Sequence, residues 1–536
     1  MKLFIRFFLL ISLFILLGYA CKKDIFEVKE MGTNQWNPEI AAPVINSSVS
    51  MLDVTQEIDN QQWQINPDNL VSLIYEEEIY SKTAQELIQV SDQDTGSIVN
   101  WNIPGSIPPG DSVSNTFIYT MSLNTVSKEI IDTLVFKSGT LEFDIHTDLN
   151  HDAKIEITIP GLVKNGSPFN TVLQFNYTGS VPQSEMKSLD ISGYSAVFAH
   201  PGQNNMLSST VKITVYGDSN PNNSPYYFNI QSSLSNIEFK RIYGYFGQYN
   251  FNMSQDTLPI HLFDNDIANL TIESPVVHLR FLNSFGMPIL VQIDEMKTYR
   301  DPDEVNITKL SGAPLDDILL DYPNLNQVGD VILTQKSLDE TNSNISDAFS
   351  IEPKYVIYET EGTSNPSGST YNFALDTSVL ALDAIAEIPI YGTASGFSLN
   401  DTIDFDISEG LGDDAELESA ELQVYMKNGF PIDTKVQVYF ADSNMVILDS
   451  LFNGKENILM AADPGPAPDF KVSIPVEKWT YIKKDKQSID NMMDAKRAII
   501  DVEASTADDG NSIMKIYSDY TVDVKVGIKA TIKTEF

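Results

Sequence analysis

Cysteine is nearly absent from this sequence. Cys21 is the only cysteine in 536 residues, so no disulfide can form within the chain. Metal sites built from several thiolates are excluded for the same reason, and the five histidines stand in no recognised metal-binding spacing. Each domain must therefore be held together by the burial of apolar side chains alone.

Basic residues are scarce relative to acidic ones. Lysine and arginine number 34 against 74 aspartates and glutamates, which gives a formal net charge of −40. A charge of this sign and size repels phosphate backbones, so no nucleic-acid partner is expected. The acidity favours solubility at a crowded surface, and the alternative is binding of divalent cations or of a cationic partner.

An apolar run at residues 7–17 follows Lys2 and Arg6 and precedes Cys21. This run is about half of the ~20 apolar residues that a membrane span needs, and it has the layout of a secretory leader. Ala20 and Cys21 resemble the end of a bacterial lipobox. The resemblance implies a signal peptide at 1–20 and acylation of Cys21, which would anchor the chain in a membrane. Cleavage near Ala20 that leaves a free thiol is the alternative.

The residues after Cys21 bear on which membrane holds the anchor. Lys22, Lys23 and Asp24 follow, so an aspartate directly after the cysteine, the inner-membrane retention signal, is missing. Residues 22–27 also resemble the charged export tag of Bacteroidetes surface lipoproteins. We therefore expect an outer-membrane lipoprotein that faces the cell exterior, with the periplasmic face as the alternative.

Alternation of apolar and polar residues dominates the chain after the leader. At the C-terminus Val522, Val524 and Val526 fall on one face of a strand, and Asp523 and Lys525 fall on the other. Helix is predicted only at 488–497 and at 337–349. A chain of this length exceeds one core. The pattern therefore predicts an all-β fold of several tandem antiparallel β-sandwich domains, Ig-like or similar, with few short helices.

Several short motifs recur at a spacing of 145 residues, which predicts an internal duplication. Ser219-Asn220-Pro221 recurs as Ser364-Asn365-Pro366, Asp256-Thr257 as Asp401-Thr402, and Asn283-x-Phe285 as Asn428-x-Phe430, while Tyr243-Gly244 recurs as Tyr391-Gly392 at a spacing of 148. A third, earlier copy is left open, because Asp111-Ser112 lies 145 residues before Asp256. The Asn-x-Phe segments are expected to be tight hairpin turns.

These patterns divide the chain into six segments. We expect the signal peptide at 1–20, the acylated cysteine and a linker at 21–45, an N-terminal β domain at 46–180, repeat copy A at 181–310, repeat copy B at 311–455, and a C-terminal β segment with one short helix at 456–536.

The Asn-x-Phe segments resemble those of the late-embryogenesis-abundant type-2 β-sandwich. Together with the leader and Trp36-Asn37-Pro38, they make the chain similar to uncharacterised outer-membrane lipoproteins of Bacteroidetes. That resemblance implies a location and a β architecture, and it implies no reaction.

Two sets of polar residues fit patterns of known sites. Asp148, Asn150 and Asp152 alternate as the oxygen ligands of a calcium loop do, and a polar turn is the alternative. Five Asp-Ser/Thr-aliphatic triplets resemble the O-glycosylation sequon of exported Bacteroidetes proteins; their hydroxyls belong to Ser112, Thr133, Thr257, Thr402 and Ser450. A structural turn is the alternative at the two repeat positions.

The sequence contains no nucleophile elbow, phosphate loop or dinucleotide fingerprint. We therefore expect no catalytic residues and no cofactor. The predicted function is that of a non-catalytic envelope lipoprotein acting as a binding, structural or adhesion module, with a protein or a glycan as ligand. One alternative is a lipid-handling protein whose groove uses some of the 27 phenylalanines. Another is a carbohydrate-active enzyme.

Overall fold

The described part of the chain begins with four strands, three of which pair with distant partners. The computed structural model describes residues 39–53, 63–88, 90–103, 105–125, 129–203, 205–259, 270–300, 306–368, 370–405 and 416–533. The first elements are β1 (Glu39–Ser50), β2 (Trp63–Ile65), β3 (Val71–Thr83), α1 (Ala84–Leu87) and β4 (Gln93–Trp101).

The first module follows these strands. It consists of β5 (Ser112–Leu123), β6 (Ile130–Thr147), β7 (Ala153–Lys164), β8 (Ser167–Phe175), β9 (Gln183–Asp190), β10 (Ser195–Val197), β11 (Asn205–Tyr216) and β12 (Tyr226–Tyr245). One layer has the order β9-β6-β12-β4 and the other has the order β8-β7-β11-β5. The short β10 pairs with both β6 and β7, so it links the two layers into one continuous sheet.

The second module repeats this arrangement. It consists of β13 (Asn250–Pro259), β14 (Leu270–Ile272), β15 (Val276–Asn283), β16 (Ile289–Tyr299), β17 (Ile307–Lys309), β18 (Ile318–Leu320), β19 (Ile332–Leu338), α2 (Ile345–Ser350), β20 (Tyr355–Ser364), β21 (Asn372–Leu375) and β22 (Val379–Pro389). Its layers are β19-β15-β22-β3-β2 and β13-β20-β16, with β17 and β18 both paired to β16.

The third module comes after a connecting strand, β23 (Tyr391–Ala394). It consists of β24 (Phe397–Asp404), β25 (Glu416–Asn428), β26 (Ile432–Ala441), β27 (Ile447–Ser450), β28 (Glu456–Leu459), β29 (Val476–Asp485), α3 (Lys486–Asp494), β30 (Arg497–Thr506), β31 (Met514–Lys515) and β32 (Thr521–Lys533). Its layers are β29-β25-β32-β1 and β24-β30-β26, with β27 and β28 both paired to β26.

The strand order of each module is therefore the same. The prediction of an all-β fold with several antiparallel sheets and an internal duplication is confirmed, and the third copy left open by the sequence exists. It is the first module, but Ser112 is not the counterpart of Thr257. β5 and β13 are equivalent strands, because β5 pairs antiparallel with β11 as β13 does with β20. Ser112 begins β5, whereas Thr257 lies near the end of β13.

The sheets do not follow the boundaries expected for copies A and B. β15, within 181–310, pairs with β19 and β22, which lie within 311–455. β25, within 311–455, pairs with β29 and β32 from the C-terminal segment 456–536. The strands of the second and third modules thus span 250–389 and 397–533. The boundaries lie later than expected because β19 and β22 follow Asn283-x-Phe285 in the chain, and β29 and β32 follow Asn428-x-Phe430.

The N-terminal strands complete the three modules in reverse order. β1 pairs with β32 of the third module, β3 pairs with β22 of the second, and β4 pairs with β12 of the first. The N-terminal segment therefore contributes at least one strand to each module before the remaining strands of any module occur in the sequence. No local sequence pattern indicates this arrangement.

The Asn-x-Phe segments are not hairpin turns, contrary to expectation. β15 and β16 belong to different layers, as do β25 and β26, so each segment is a corner between layers. The side chain of Asn428 accepts a hydrogen bond from the Phe430 backbone N–H at 2.8 Å, and Asn283 accepts one from Phe285 at 2.9 Å. The asparagines shape these corners through side-chain hydrogen bonds.

The helices also differ from the predicted ranges. Of the helix predicted at 337–349, residues 337 and 338 end β19, because they pair with β15, and α2 occupies only Ile345–Ser350. α3 runs from Lys486 to Asp494, and Asp485 caps its start by accepting the Ser488 N–H at 2.9 Å. Arg497 already belongs to β30.

Two equivalent joints connect the modules. At the first, Tyr243 and Gly244 of β12 pair with β21 of the second module. At the second, Tyr391 and Gly392 of β23 pair with β31 of the third module. Both glycines have positive φ, at 144° and 149°, which explains why this motif recurs. At both joints, neighbouring modules are connected by β-strand pairing and not only by a linker segment.

The hydrophobic cores follow the modules only in part. One core extends from the first module into the second, and it includes Phe143, Ile213 and Phe281. The third module has a separate core around Phe440 and Val524. Among the described residues, no helix is long and apolar enough to cross a membrane.

Candidate functional site: an aromatic face on the third module

The outer face of sheet β29-β25-β32-β1 carries aromatic side chains next to one another. In β25, Val424 and Met426 point into the core, so Tyr425 between them points outward. In β29, Ile482 is buried and its neighbour Tyr481 is exposed. The antiparallel register places Trp479 directly opposite Tyr425. We call Tyr425, Trp479 and Tyr481 the aromatic face.

The three rings form a continuous apolar surface. The ring centroids of Tyr425 and Trp479 are 5.0 Å apart, and those of Trp479 and Tyr481 are 6.2 Å apart. The planes of Trp479 and Tyr481 differ by only 15°. Trp479 is 54% exposed and Tyr481 is 57% exposed, so more than half of each side chain is accessible to a ligand.

Polar side chains frame this surface in rows set by the strand register. One row holds Glu477, Lys427 and Asp523, the opposite row holds Lys483, Glu421 and Lys529, and Gln423, Lys525 and Gly527 lie between them. Gln423 Nε2 donates to Glu421 Oε1 at 3.0 Å. This bond and the nearby Lys483 ammonium lower the pKa of Glu421, so it is an ionised acceptor at neutral pH.

The phenol of Tyr425, at one side of the aromatic face, stays neutral. Loss of hydration and a hydrogen bond with Glu477 raise the pKa of Tyr425. The ammonium of Lys525 lies 5.5 Å from the centroid of the same ring, within cation–π range. The face thus combines flat neutral rings with charged donors and acceptors at its rim.

Such a surface suits a ligand that is apolar on one side and polar at its edges. A pyranose ring has this character, because its C–H groups can cover an aromatic ring while its hydroxyls reach donors and acceptors around it. The neighbouring rings of Trp479 and Tyr481 offer stacking positions for successive sugars. Aromatic side chains with a polar surround are also what distinguishes binding surfaces from the rest of a protein surface.

The predicted O-glycosylation residues lie in all three modules and form no cluster. Ser112, Thr257 and Thr402 are exposed, whereas Thr133 and Ser450 are half-buried. Thr257 and Thr402 hold equivalent positions, each opposite the third residue of the neighbouring strand. They lie within strands, so the turn alternative does not describe them.

The predicted calcium loop lies between β6 and β7 in the first module. Asp148 Oδ1 accepts the Tyr227 N–H at 2.7 Å, and Asp152 Oδ1 accepts the Tyr177 N–H at 2.7 Å. Asn150 Oδ1 accepts the hydroxyl of Tyr226 at 2.7 Å. Each candidate ligand therefore binds a different neighbour. Across the described ranges, no three His, Cys, Asp or Glu side chains are grouped as metal ligands.

The described histidines lie in the first and second modules, where they are bound to other side chains. His151 Nδ1 lies 2.9 Å from Asp218 Oδ1, and His200 Nε2 lies 2.7 Å from Asp132 Oδ1, both in the first module. Cys21, the predicted leader 1–20 and His261 lie outside the described residues.

Many phenylalanines lie inside the sandwich cores. The fully buried ones are Phe136, Phe143, Phe175, Phe228, Phe246, Phe281, Phe285, Phe373 and Phe440. They contribute to packing between layers, which is the common location of phenylalanine.

The aromatic face was missed by sequence reasoning, although a signal for it exists. In the stretch 477–483, Trp479 and Tyr481 alternate with Thr480 and Ile482 and share their face with charged residues. Large aromatics on the charged face of a strand are unusual and indicate a binding surface. The contribution of Tyr425 depends on strand register, which the sequence does not reveal.

Comparisons with known proteins identify no family. No protein-family model matches the chain, and no curated protein matches it. A solved structure of a Parabacteroides distasonis protein described as secreted has 12% identity and a TM-score of 0.27, and the match covers 54% of this chain and 89% of that one. The tandem CBM22 domains of Paenibacillus barcinonensis Xyn10C have 9% identity and a TM-score of 0.12, with 58% and 98% covered. These TM-scores are too low to support any functional conclusion.

Proposed function

We propose that this chain is a non-catalytic lipoprotein of the bacterial cell envelope that binds a glycan. In this proposal an acylated Cys21 holds the protein in the outer membrane, facing the exterior. The joined modules act as a support, and the aromatic face of the third module is the binding surface. The observation that carries the proposal is the near-parallel arrangement of Trp479 and Tyr481 beside Tyr425 on an exposed sheet.

A glycan fits this surface better than the other ligands considered. The negative charge of the whole chain opposes nucleic acids and anionic polymers. A neutral polysaccharide avoids that repulsion and can use both the rings and the rim, where Gln423 and Lys525 supply donors and Glu421 supplies an acceptor. The rings stand on paired β-strands, so little ordering cost opposes binding.

Binding is tested by affinity electrophoresis and calorimetry with a panel of soluble neutral polysaccharides. Trp479→Ala removes the central ring, and we expect a loss of about 2 kcal/mol, roughly 30-fold in Kd. Tyr227→Ala is the matched control, because Tyr227 is 50% exposed on β12 of the first module. Equal effects of the two substitutions, or no binding to any neutral glycan, would contradict the proposed site.

The anchor is tested separately. Protein from cell membranes is expected to enter the detergent phase of a Triton X-114 separation, and its N-terminal peptide is expected to carry acyl chains on Cys21. Cys21→Ser should move it to the aqueous phase. Protease treatment of intact cells distinguishes the exterior from the periplasmic face. An unmodified N-terminal peptide would refute lipid anchoring and leave the glycan measurement unaffected.

A further inference from the structure

The hairpin between β26 and β27 exposes three consecutive apolar side chains. Met445, Val446 and Ile447 are 49%, 57% and 54% exposed, and we call them the apolar tip. Single exposed apolar residues are ordinary on a protein surface, but a run of three at the end of a loop indicates contact with something apolar.

The backbone of this loop is held in place by Asp442. Its carboxylate accepts the N–H groups of Asn444 at 2.8 Å and Val446 at 2.9 Å, and its own N–H donates to the Val446 carbonyl at 3.0 Å. The bond from the Val446 N–H lowers the pKa of Asp442. Met445 has φ 65°, a left-handed conformation that glycine or asparagine adopts more easily. A fixed loop therefore presents a large apolar side chain at a conformationally unfavourable position.

The apolar tip lies at the end of the third module where the tether arrives. Ala441 at the end of β26 pairs with Arg497 at the start of β30. Arg497 pairs with Asp404 at the end of β24, and Glu39 at the start of β1 pairs with Thr531 near the end of β32. These strand ends form the tether end of the module. The opposite end faces the second module through β23 and β31.

The length of chain between Cys21 and Glu39 limits how far the tether end can lie from a membrane that holds Cys21. Cys21 stands 18 residues before Glu39. A fully extended segment of that length spans at most about 60 Å, so a membrane that holds Cys21 stays within that distance of the tether end. Acyl chains on Cys21 hold one point of the chain at the membrane, and a second contact with the bilayer orients the protein on it.

We propose that the apolar tip inserts into the headgroup and acyl boundary of the phospholipid bilayer that carries the anchor. This inference rests on the lipid anchor of the proposed function. The insertion fixes the tether end against the membrane, and the first module then lies farthest from it. Met445, Val446 and Ile447 supply the inserted surface, and the hydrogen bonds of Asp442 hold the loop that presents them.

The test uses a fluorescent dye on a single thiol. When Cys21 is acylated, Val446→Cys gives the full-length protein one free thiol, which is labelled with an environment-sensitive dye. Ile474→Cys is the matched control, because Ile474 is an exposed apolar residue at 76% that lies just before β29, at the end facing the second module. Both proteins are reconstituted in vesicles of phosphatidylethanolamine and phosphatidylglycerol.

We expect a blue shift, severalfold protection from iodide and quenching by brominated lipid for the dye at 446, and none of these at 474. Equal solvent exposure of the two dyes on vesicles would overturn the inference. Protection at 446 without vesicles would indicate a second copy or another protein on the tip and would also overturn it.

Failure of the anchor is separated from failure of the tip by flotation. Protein that does not float with vesicles lacks the anchor. In that case the same labelled variants carrying Cys21→Ser and an N-terminal histidine tag are held on vesicles with nickel-chelating lipid. Protection of position 446 there supports insertion of the tip, and a water-exposed dye refutes it.

Discussion

Replacing Asn428 with alanine is expected to destabilise the third module strongly. Asn428 is 1% exposed at the corner between β25 and β26. Its Nδ2 donates to the carbonyls of Phe430, Ile432 and Met460 at 2.9, 3.1 and 2.8 Å, and its Oδ1 accepts the Phe430 N–H. Alanine removes these four hydrogen bonds, and of the backbone groups involved the Phe430 carbonyl keeps a second partner, the Ala462 N–H at 3.0 Å. Since each buried polar group left unsatisfied costs about 1–3 kcal/mol and water relieves some of them, we expect a loss of about 4 kcal/mol.

The repeat supplies two matched comparisons for this substitution. Asn283, the counterpart in the second module, binds the Phe285 N–H and donates to Met287 and Asp321, so Asn283→Ala is expected to cost about 3 kcal/mol. Thr147 ends β6 in the first module and accepts only the Leu149 N–H, at 3.1 Å. Thr147→Ala is therefore expected to cost about 1 kcal/mol.

The assay must resolve the modules, because a chain of this size need not unfold in one step. Differential scanning calorimetry together with hydrogen exchange read by mass spectrometry does so. Asn428→Ala should lower the transition of the third module, which has its own core, and Asn283→Ala should lower that of the shared core. A cost for Thr147→Ala equal to that for Asn428→Ala would refute the hydrogen-bond reasoning.

Two further predictions concern the joint and an exposed cap. Gly244→Ala would place a Cβ 2.1 Å from the Ile130 carbonyl oxygen, so it is expected to lower the midpoint of thermal unfolding. Gly166 also has a positive φ but has open space around it, so Gly166→Ala should lower the midpoint less. Glu86 accepts the Thr83 N–H at the start of α1, and this bond, with those from Lys82 and the Thr83 hydroxyl, lowers its pKa to about 2 from 4.5. Since the pKa of Glu86 is depressed in the folded state, its stabilisation is complete above pH 4.5 and is lost as the pH falls toward 2. The NMR chemical shift of the Thr83 amide should therefore titrate near pH 2, and Glu86→Gln should abolish that titration.

The fold class was predictable because its signal is local. Alternation within β25 and β32 depends only on which residues face the core, and it holds in all modules. The duplication was visible because Asn283 and Asn428 make the same corner, which needs an amide that accepts and donates. Only the corner of the first module escaped this comparison, since Thr147 makes it with a hydroxyl and Leu149 replaces the phenylalanine.

The extent of the modules and the aromatic face could not be predicted, because both depend on pairing between distant residues. β1 and β32 are separated by most of the chain, and neither strand's sequence indicates which strand it pairs with. Likewise, Tyr425 and Trp479 become neighbours only through the register of β25 and β29. Pairing of this kind is set by the assembled core and not by local propensity.

The reversed course of the N-terminal strands has a mechanical consequence for an anchored protein. A pull on a tether that enters at Glu39 acts along β1, away from the tether end. β1 has 12 residues and pairs with β32 along almost its whole length, so the pull shears many hydrogen bonds together. If the tether entered at Ser50 instead, the same pull would open the ladder one pair at a time. If Cys21 is anchored as proposed, the N-terminal strand would therefore distribute load across the third module, and the joints would pass it to the second module and the first.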